Sequence, residues 1–350
     1  MSKHIEVDPN FLTDNMVKDG MVFFDAKTEP LKIYGVSYEN ELYRRMPEEV
    51  ARSVSQGVYD LHTNTAGGRV RFKTNSKKIS ITVKVPRVVL RPHFAPTGRS
   101  ALDMYETVDG KERYSGTFIS YTGVFENFEN TVTRDNSELR NITINMPLYN
   151  DVSSLQIGFE EGSIILPPDP YKIEKPVVFY GSSITQGGCA NRAGNSYQGF
   201  LSRWLDFDYI NLGFSGNAKA EDAMIDYVKA LDMSAFVYDY DHNAPTVSHL
   251  EATHEKMFKA IREAHPTMPI LMMSRPKFYL NDEEKRRLEI VRKTYENAKD
   301  SGDKNVYFIE GPKLMELAGD EGTVDGCHPT DLGFFSMAKE IYGVMNKFFK

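Results

Sequence analysis

A serine, a histidine and an aspartate in the second half of this 350-residue chain are residue types that together perform acyl transfer. Ser183 lies in a Gly-Ser-Ser sequence directly after the apolar residues 177–180, and Asp325 precedes His328 by three residues. A serine hydroxyl is a poor nucleophile at neutral pH and needs a neutral base within hydrogen-bond distance. The imidazole of His328 is a suitable base, and the Asp325 carboxylate can orient it and stabilise its charged form. We therefore predict that these three residues are catalytic.

Acyl transfer also needs hydrogen-bond donors for the negative oxygen of the tetrahedral intermediate. Three candidates are the backbone N–H of Ser183, the backbone N–H of Gly216 and the side-chain amide of Asn243. Glycine at position 216 lets the backbone approach the oxyanion because no side chain intervenes. Each residue also has a purely structural interpretation, since serine caps helices and glycine and asparagine are common in turns.

The segment from residue 171 to residue 350 alternates short apolar runs with helical patterns. This alternation predicts a parallel sheet between two layers of helices, a three-layer αβα domain of the α/β class. Ligands bind outside the carboxyl ends of the strands in such sheets, so the loops carrying Ser183, Gly216 and Asn243 should meet at one edge. The loop with Asp325 and His328 precedes the last helix and can reach the same edge. The predicted strands are residues 177–180, 209–213, 235–239, 269–273 and 306–309, and the predicted helices are residues 196–206, 220–231, 250–264, 283–300 and 332–349.

The first half has a different pattern, with short runs of alternating polar and apolar residues between turn residues. Such runs predict an antiparallel β-sandwich, jelly-roll-like in character. One helix is predicted over residues 39–53. Three prolines among residues 167–170 cannot continue a strand ladder, so we predict an N-terminal sandwich domain of residues 1–170 and a catalytic domain of residues 171–350. The predicted sandwich strands are residues 31–36, 68–72, 78–85, 141–147 and 154–159.

Four sequence blocks of the second half occur in the order found in SGNH (GDSL-like) hydrolases. They are Gly-Ser-Ser-Ile-Thr, Gly-Phe-Ser-Gly-Asn, Asp-His-Asn and Asp-Gly-Cys-His-Pro, and the resemblance covers roughly residues 175–350. The resemblance implies that Ser183 is the nucleophile, that Gly216 and Asn243 are oxyanion donors, and that His328 is the base with Asp325 as its partner.

The first half resembles the β-sandwich that precedes a subgroup of these hydrolases, on the evidence of residues 65–72 and 101–105. That subgroup includes carbohydrate esterases that remove acetyl groups. Two positions depart from the family pattern: Ser182 stands where an aspartate usually precedes the serine, and Ala244 stands where an aspartate usually follows Asn243. We expect the loops to lose the hydrogen bonds that those carboxylates supply.

Four more residues lie on the loops at this predicted edge of the sheet, which we call the active edge. Arg192 follows the nucleophile and is a candidate contact for substrate, and His242 is a candidate wall of the pocket. Cys189 and Cys327 lie on two of these loops, and we predict two buried thiols rather than a disulfide because a reducing compartment disfavours the bond.

We predict catalysis without a metal or another cofactor, because no cluster in the sequence shows convincing metal-ligand spacing. His62 and His93 are isolated, and we interpret both as structural or surface residues. Aromatic residues of the first half could stack on sugar rings, but core packing is the simpler interpretation because strands favour aromatic residues. They are Tyr105, Tyr114, Phe118, Tyr121, Phe125 and Phe128.

The composition argues against several classes of function. Lys and Arg total 42 and Asp and Glu total 49, so the net charge is −7 and neither a nucleic-acid surface nor a polybasic membrane anchor is expected. No apolar run approaches the ~18 residues of a membrane span. Residues 1–8 lack the apolar core of a signal peptide, so we expect a cytoplasmic protein.

These observations predict a serine esterase that hydrolyses carboxylic esters through an acyl-enzyme. O-acetyl groups on a carbohydrate are the first expectation for the substrate, which would be a small molecule or an oligosaccharide. Two alternatives stay open: a lipid or thioester acylhydrolase that uses the same site, and a non-catalytic sugar-binding protein. The sequence leaves the oligomeric state undetermined.

Overall fold

The computed structural model describes residues 17–349 of the chain. Residues 1–8, on which the prediction about a signal peptide depends, lie outside the described residues. Within residues 17–349, no helix combines the length and the apolar character that crossing a membrane requires.

The first half, residues 17–170, forms two antiparallel sheets, as the alternating pattern predicted, and a separate two-stranded hairpin. Its strands are β1 (Val17–Lys18), β2 (Met21–Asp25), β3 (Lys32–Tyr34), β4 (Ser37–Glu39), β5 (Leu42–Arg44), β6 (Arg69–Thr74), β7 (Lys78–Lys84), β8 (Leu102–Val108), β9 (Lys111–Phe118), β10 (Asn127–Thr133), β11 (Arg140–Asn145), β12 (Ser154–Glu160) and β13 (Ile165–Leu166). One sheet has the order β1-β2-β12-β7-β10. The other has the order β13-β6-β11-β8-β9, with β3 also paired to β6.

Apolar side chains from the two sheets form one core. Ile81 of β7 and Phe159 of β12 come from one sheet, and Phe72 of β6 and Ile144 of β11 come from the other. The rings of Phe72 and Phe159 meet edge to face with their centroids 5.1 Å apart. Burial of each such side chain contributes about 1.5–3 kcal/mol to folding, so this double layer is a sandwich with its own core.

The prediction of one helix over residues 39–53 is wrong for its first part. Strands β4 and β5 pair there as a hairpin, and Asn40 and Glu41 form its two-residue turn with φ angles of 48° and 62°. Two positive φ angles are what a tight hairpin turn requires. The helix begins only after Pro47, as α1 (Glu48–Val54), and is followed by α2 (Gln56–Leu61). A third short helix of this half is α3 (Pro96–Arg99).

The second half, residues 171–349, is the predicted parallel sheet between helices. Its strands lie in the order β15-β14-β16-β17-β18. They are β14 (Ile173–Gly181), β15 (Phe207–Gly213), β16 (Ala235–Asp239), β17 (Ile270–Met273) and β18 (Val306–Ile309). The helices are α4 (Ser183–Gln186), α5 (Tyr197–Leu205), α6 (Asp222–Lys229), α7 (Val247–Ala264), α8 (Asp282–Asp300), α9 (Gly311–Leu314) and α10 (Asp331–Met345), with 3-10 turns at Ala193–Asn195 and Gly319–Gly322.

Alternate residues of β14 point to opposite helical layers. Val178 and Tyr180 belong to a core that includes residues of α6 and α7, whereas Val177 and Phe179 belong to a core that includes residues of α5 and α10. Gly181 is in register with Gly213 of β15 and with Asp239 of β16. The carboxyl ends of three strands therefore lie side by side, and the loops that follow them start from one edge.

Helices α1 and α2 belong to the first half of the sequence but pack with the second half. Ala51 of α1 and Val58 of α2 are buried in the same core as Met224 and Val228 of α6. The predicted boundary near residue 170 falls between β13 and β14. Both halves nevertheless contribute buried side chains to one core, and this packing brings residues of the first half close to the active edge.

Candidate active site

The serine, histidine and aspartate predicted from the sequence form one hydrogen-bonded chain. The Ser183 hydroxyl lies 2.9 Å from Nε2 of His328, and Nδ1 of His328 lies 2.7 Å from Oδ2 of Asp325. These distances are those of a nucleophile, its base and the group that orients the base. The His328 side chain is 19% exposed, so substrate can reach the imidazole.

Asp325 is held by its own loop as well as by the imidazole. Its Oδ1 accepts hydrogen bonds from the backbone N–H groups of Cys327 and His328 at 3.0 and 2.8 Å. Partial burial acts in the opposite direction, but the hydrogen bonds from His328 and Cys327 keep the pKa of Asp325 below its usual value. The carboxylate is therefore charged at neutral pH and can stabilise an imidazolium.

The sharp turn from β14 into α4 places Ser183 at the first position of a helix. The Ser182 hydroxyl accepts a hydrogen bond from the backbone N–H of Ile184 at 3.1 Å and so caps α4. Gly181 has to be a glycine, because a Cβ there would overlap the side chains of Asp239 and Thr185. The first N–H groups of a helix have no partner within the helix, so the N–H of Ser183 is available to an oxyanion.

The second predicted oxyanion donor, Gly216, lies at the third position of a tight turn. The N–H of Asn217 donates to the carbonyl of Phe214 at 2.8 Å, and Gly216 has a φ of 71°. A turn of this kind requires a positive φ at that position, which glycine adopts without strain. The N–H of Gly216 takes no part in the turn's own hydrogen bond.

Asn243, the third donor, is oriented by the loop of Gly216. Its Oδ1 accepts a hydrogen bond from the backbone N–H of Ala218 at 3.4 Å. Because an asparagine amide has one oxygen and one nitrogen, this bond fixes which side of the amide group presents Nδ2. The structure thus places the three candidate donors on the loops that follow three adjacent strands.

Gln186 joins the nucleophile turn to two other segments, a role that the sequence did not predict. Its Nε2 donates to Oδ1 of Asn64 at 3.1 Å and to the carbonyl of Leu148 at 3.3 Å. Its Oε1 accepts from the N–H of Ser215, next to Gly216, at 3.0 Å. One buried amide therefore links α4, the oxyanion loop and the first half of the chain.

The two carboxylates of the family pattern are absent, as the sequence shows, but other hydrogen bonds hold the same loops. Ser182 caps α4 with its hydroxyl. Arg287 of α8 donates from Nη1 to the carbonyls of Asp241 and Ala244, at 2.6 and 2.9 Å. The Asp241 carboxylate also accepts from the backbone N–H of Arg275 at 3.0 Å. Different residues thus supply the bonds that hold the loop around Asn243.

A buried arginine from the first half supports the strand that leads to Gly216. The Arg45 guanidinium donates to the carbonyl of Leu61 at 2.7 Å, to that of Asn211 at 3.2 Å and to that of Gly213. It also lies over the ring of Phe214, 4.6 Å from the ring centroid. No sequence motif indicated the role of Arg45, because its partners are 16 to 168 residues away along the chain.

Asp239, at the end of β16, is a buried carboxyl beside the nucleophile turn. Its Oδ1 accepts a hydrogen bond from the Thr185 hydroxyl, while its Oδ2 is buried without a partner among the described residues. Burial raises the pKa of Asp239 to about 8, against the effect of the Thr185 bond, and the nearby Asp241 raises it further. The neutral acid therefore dominates at neutral pH.

The two substrate-binding candidates occupy different surroundings. Arg192 donates to the Tyr105 hydroxyl at 3.1 Å, to Oδ1 of Asn195 at 3.0 Å and to Oδ2 of Asp103 at 3.4 Å. These bonds join the loop after Ser183 to β8 of the sandwich. The His242 side chain is 7% exposed, with Nδ1 3.0 Å from Asp241 and Nε2 without a partner among the described residues. A contact of either residue with substrate stays a prediction.

His93 is a surface residue, as predicted, but the prediction that it is isolated is wrong. His93 is exposed, and its ring centroid lies 5.6 Å from that of His328. Cys189, a free thiol, lies beside both: the ligand atoms of His93, Cys189 and His328 all fall within 4.8 Å of one another. Burial raises the pKa of the Cys189 thiol to about 12, helped by the charge of Asp325. The sequence could not show this group because its members are about 100 residues or more apart.

Aromatic residues of the first half also pack against the nucleophile turn. The Tyr149 hydroxyl donates to the backbone carbonyl of Ser183 at 3.0 Å, and Tyr149 packs on Phe94 with centroids 4.6 Å apart. A Cβ at Gly188 would come within 3.2 Å of the Phe94 ring and 3.0 Å of the Tyr149 hydroxyl. The sandwich therefore closes one side of the active edge.

Comparison with solved structures shows the same architecture over nearly the whole chain. A GDSL-like lipase of Bacteroides ovatus is 30% identical, with a TM-score of 0.84 over 93% of this chain and 97% of the other. The salicylyl-acyltransferase SsfX3 of a tetracycline biosynthetic pathway is 18% identical, with a TM-score of 0.75 over 95% and 98%. A family two carbohydrate esterase of Clostridium thermocellum is 14% identical, with a TM-score of 0.63 over 91% and 98%.

Two families match the two halves of the sequence. Residues 21–165 match the N-terminus of SGNH-hydrolase-type esterases, and residues 174–346 match the GDSL-like lipase/acylhydrolase family. A search of the curated proteins found no match. The three-layer fold, the preceding sandwich and the 30% identity to a GDSL-like lipase agree. The chain belongs to the GDSL-like, or SGNH, family of lipases and acylhydrolases.

Proposed function

We propose that this family member is a serine esterase that removes short acyl groups, above all O-acetyl groups of carbohydrates, through an acyl-enzyme. The observation that carries the proposal is the chain of hydrogen bonds from the Ser183 hydroxyl through His328 to Asp325. Three oxyanion donors on neighbouring loops complete the set of groups that acyl transfer needs.

In this mechanism Ser183 Oγ attacks the carbonyl carbon of the ester while Nε2 of His328 takes the hydroxyl proton. The anionic Asp325 stabilises the resulting imidazolium. The N–H groups of Ser183 and Gly216 and the amide of Asn243 bind the oxyanion. His328 then returns its proton to the departing alcohol, and a water molecule releases the acyl group by the same steps.

The surroundings of Ser183 support a small acyl group. Phe94 and Tyr149 fill the space against Gly188, so that side of the nucleophile turn is packed rather than open. A lipid acylhydrolase would need an apolar channel for a long chain at the nucleophile.

The names of structural neighbours support a carbohydrate substrate. One is the family two carbohydrate esterase described above, and another is an acetyl xylan esterase of Butyrivibrio proteoclasticus, 12% identical with a TM-score of 0.59. Both resemble this chain over more than 90% of its length. The acyltransferase among the neighbours suggests a second candidate, in which an alcohol rather than water accepts the acyl group from Ser183.

The test compares nitrophenyl esters of increasing chain length with acetylated oligosaccharides. We expect acetyl esters to react fastest and Ser183→Ala to lose about 10³-fold or more in kcat. Ser182→Ala is the matched control, because it removes the neighbouring hydroxyl but leaves the nucleophile. A fluorophosphonate probe should label wild type and Ser182→Ala, but not Ser183→Ala.

Other outcomes separate the alternatives. Preference for long acyl chains or for thioesters would replace the acetylesterase assignment with a lipid or thioester acylhydrolase. Ester products formed with added alcohols, at the expense of free acid, would indicate an acyltransferase. Absence of probe labelling together with glycan binding would mean a non-catalytic sugar-binding protein. The cytoplasmic location expected from the sequence stays a prediction.

A further inference from the structure

Three metal-ligating side chains from distant parts of the sequence meet at the catalytic histidine. The ligand atoms of His93, Cys189 and His328 all lie within 4.8 Å of one another. His93 comes from the irregular segment between β7 and α3, Cys189 from the loop after α4, and His328 from the loop before α10. Two imidazole nitrogens and one thiolate form a ligand set that suits Zn²⁺, which commonly takes three protein ligands and keeps a fourth position open.

The distances between the three ligand atoms fit a site whose side chains move closer together when the metal binds. Zn–N bonds of about 2.1 Å and Zn–S bonds of about 2.3 Å put tetrahedral ligand atoms roughly 3.3–3.8 Å apart. The three ligand atoms would therefore have to approach one another by roughly 1 Å. His93 can supply this movement because its side chain is exposed and its segment is neither helix nor strand. Cys189 and His328 are held by more contacts and would move less.

The hydrogen bonds of His328 determine which nitrogen would bind the metal. Nδ1 is bonded to Asp325, so Nε2 is the atom that faces a ligand. A carboxylate on the far nitrogen is the usual arrangement for a metal-binding histidine, since it fixes the orientation of the ring and increases its basicity. The same Nε2 lies 2.9 Å from the Ser183 hydroxyl and has to take its proton during catalysis. A metal ion and the serine proton would therefore compete for one lone pair.

We propose that the protein binds Zn²⁺ through His93, Cys189 and His328 and that bound Zn²⁺ reversibly inhibits ester hydrolysis by occupying the base. The binding site does not depend on the substrate, but the inhibition rests on the proposed function. On binding, the Cys189 thiol releases its proton to solvent and the two imidazoles bind as neutral ligands. A chelator reverses the process.

Binding can be measured without turnover, with Co²⁺ and Zn²⁺ as the probes. In chelator-free buffer with reduced thiols, Co²⁺ added to wild type should give a thiolate-to-cobalt charge-transfer band and the strong visible absorption of tetrahedral cobalt. Zn²⁺ should abolish both signals. Cys189→Ser should lose the charge-transfer band, and His93→Ala should weaken Zn²⁺ binding in a dye-competition assay by about ten-fold or more.

The matched controls are Cys327→Ser and His265→Ala, which remove a neighbouring thiol and a partly exposed imidazole outside the group. Both should bind metal as wild type does. Zn²⁺ should inhibit nitrophenyl acetate hydrolysis by wild type and by these controls, and EDTA should restore the rate. The Zn²⁺ concentration for half inhibition should rise about ten-fold or more in His93→Ala and Cys189→Ser, each compared with its own metal-free rate.

The outcomes distinguish this inference from the proposed function. A charge-transfer band that depends on Cys189 in a protein without esterase activity would support the metal site and refute the proposed function. An active esterase whose Zn²⁺ inhibition is the same in His93→Ala, Cys189→Ser and wild type would refute the metal site and leave the proposed function intact. A charge-transfer band that persists in Cys189→Ser and disappears in Cys327→Ser would also overturn the assignment.

Discussion

The first half of the chain contacts the active edge on two sides, and the two contacts differ in burial and bonding. On the oxyanion side, Arg45 lies fully inside the protein and donates to three backbone carbonyls around Gly213. On the histidine side, the Arg192 side chain is 24% exposed and contacts Asp103, and the imidazole of His93 is exposed. The oxyanion side thus depends on a guanidinium that is itself buried, whereas on the histidine side the cation is partly exposed although its partner Asp103 is buried.

This difference suggests a division of tasks between the two contacts. Removal of one partner from a buried hydrogen bond costs about 1–3 kcal/mol, because no water is present to replace the bond. Loss of the partly exposed Arg192 should cost less, about 1–2 kcal/mol, because water can enter the place that its side chain leaves beside Asp103. We therefore expect changes on the oxyanion side to affect both stability and turnover, and changes on the histidine side to affect turnover more than stability.

The largest expected effect is that of Arg45→Met. The variant keeps the apolar stem but removes the Arg45 donor from three carbonyls, two of them in buried hydrogen bonds, so the free energy of unfolding should fall by about 2–4 kcal/mol. Because the strand end that precedes Gly216 loses its support, kcat should fall as well. Urea unfolding and acetyl-ester kinetics are the measurements.

Arg45→Lys is the matched control for this variant. Lysine keeps the charge but cannot donate to three carbonyls with the fixed fork of a guanidinium, so an intermediate loss is expected. Stability of Arg45→Met within about 0.5 kcal/mol of wild type would contradict the contrast between the two sides.

The next effect concerns Asp239, between the two sides. Because burial raises its pKa to about 8 in the folded protein, the folded state binds a proton that the unfolded state releases near pH 4. The stability of wild type should therefore fall as pH rises from about 4 to about 8. Asp239→Asn cannot ionise, so its unfolding free energy relative to wild type should increase by about 2–4 kcal/mol between pH 5 and pH 8. Urea unfolding at a series of pH values measures this.

The comparison for that experiment is Asp241→Asn, since the pKa of Asp241 is lowered. Burial opposes the shift, but the hydrogen bond and the charge of His242 outweigh it. The stability that Asp241 contributes is present above its unfolded pKa and disappears at lower pH, so this variant should show the opposite trend with acidification. Parallel curves for both variants would show that the pH dependence arises elsewhere.

Arg192→Ala should have a smaller effect, of about 1–2 kcal/mol on stability and several-fold on kcat. Asn195, which accepts from Arg192, donates to Asp331 at 2.7 Å, and Asp331 begins α10 three residues after His328. Loss of Arg192 should therefore lower kcat with little change in KM. A rise in KM for sugar acetates with kcat unchanged would instead indicate that Arg192 binds substrate, and Arg192→Lys would show whether charge alone suffices.

The smallest effect on stability is expected for Gly57→Ala. Alanine usually stabilises a helix by about 0.5–1 kcal/mol relative to glycine, but a Cβ at Gly57 in α2 would overlap the side chain of Asn217. Asn217 would have to move away, and it follows Gly216. We expect kcat to fall several-fold while the unfolding free energy changes by less than about 1 kcal/mol. An unchanged kcat would indicate that the oxyanion loop adjusts without cost.

The sequence predicted the second half of the molecule well because its pattern is local. Each strand and helix there repeats apolar residues at a fixed spacing, and short loops join them. The edge that carries Ser183, Gly216 and Asn243 followed from the parallel orientation of the strands and from the four sequence blocks. The hydrogen-bonded chain from Ser183 to Asp325 agrees with that prediction.

The contributions of the first half were not predictable in the same way. Residues 39–44 have charged and apolar residues at spacings that fit a helix, and only the turn at Asn40 and Glu41 makes them a hairpin. Arg45 and His93 each have a partner more than 150 residues away, Gly213 and His328 respectively, a distance over which no pattern in one sequence is visible. Their neighbours became known only from the tertiary structure.

The sandwich also contributes a second buried guanidinium to the parallel sheet, and this limits how the protein could have been assembled during evolution. Arg69 donates to the carbonyl of Tyr209 at 3.2 Å, lies 3.8 Å from the centre of its ring and pairs with Asp208, all on the outer strand β15. Exchange of the sandwich for an unrelated module would leave the Asp208 carboxylate without its cation and several peptide groups without donors. We therefore expect the two halves to be inherited together. A substitution on one side of their interface should be accompanied by a compensating substitution on the other side.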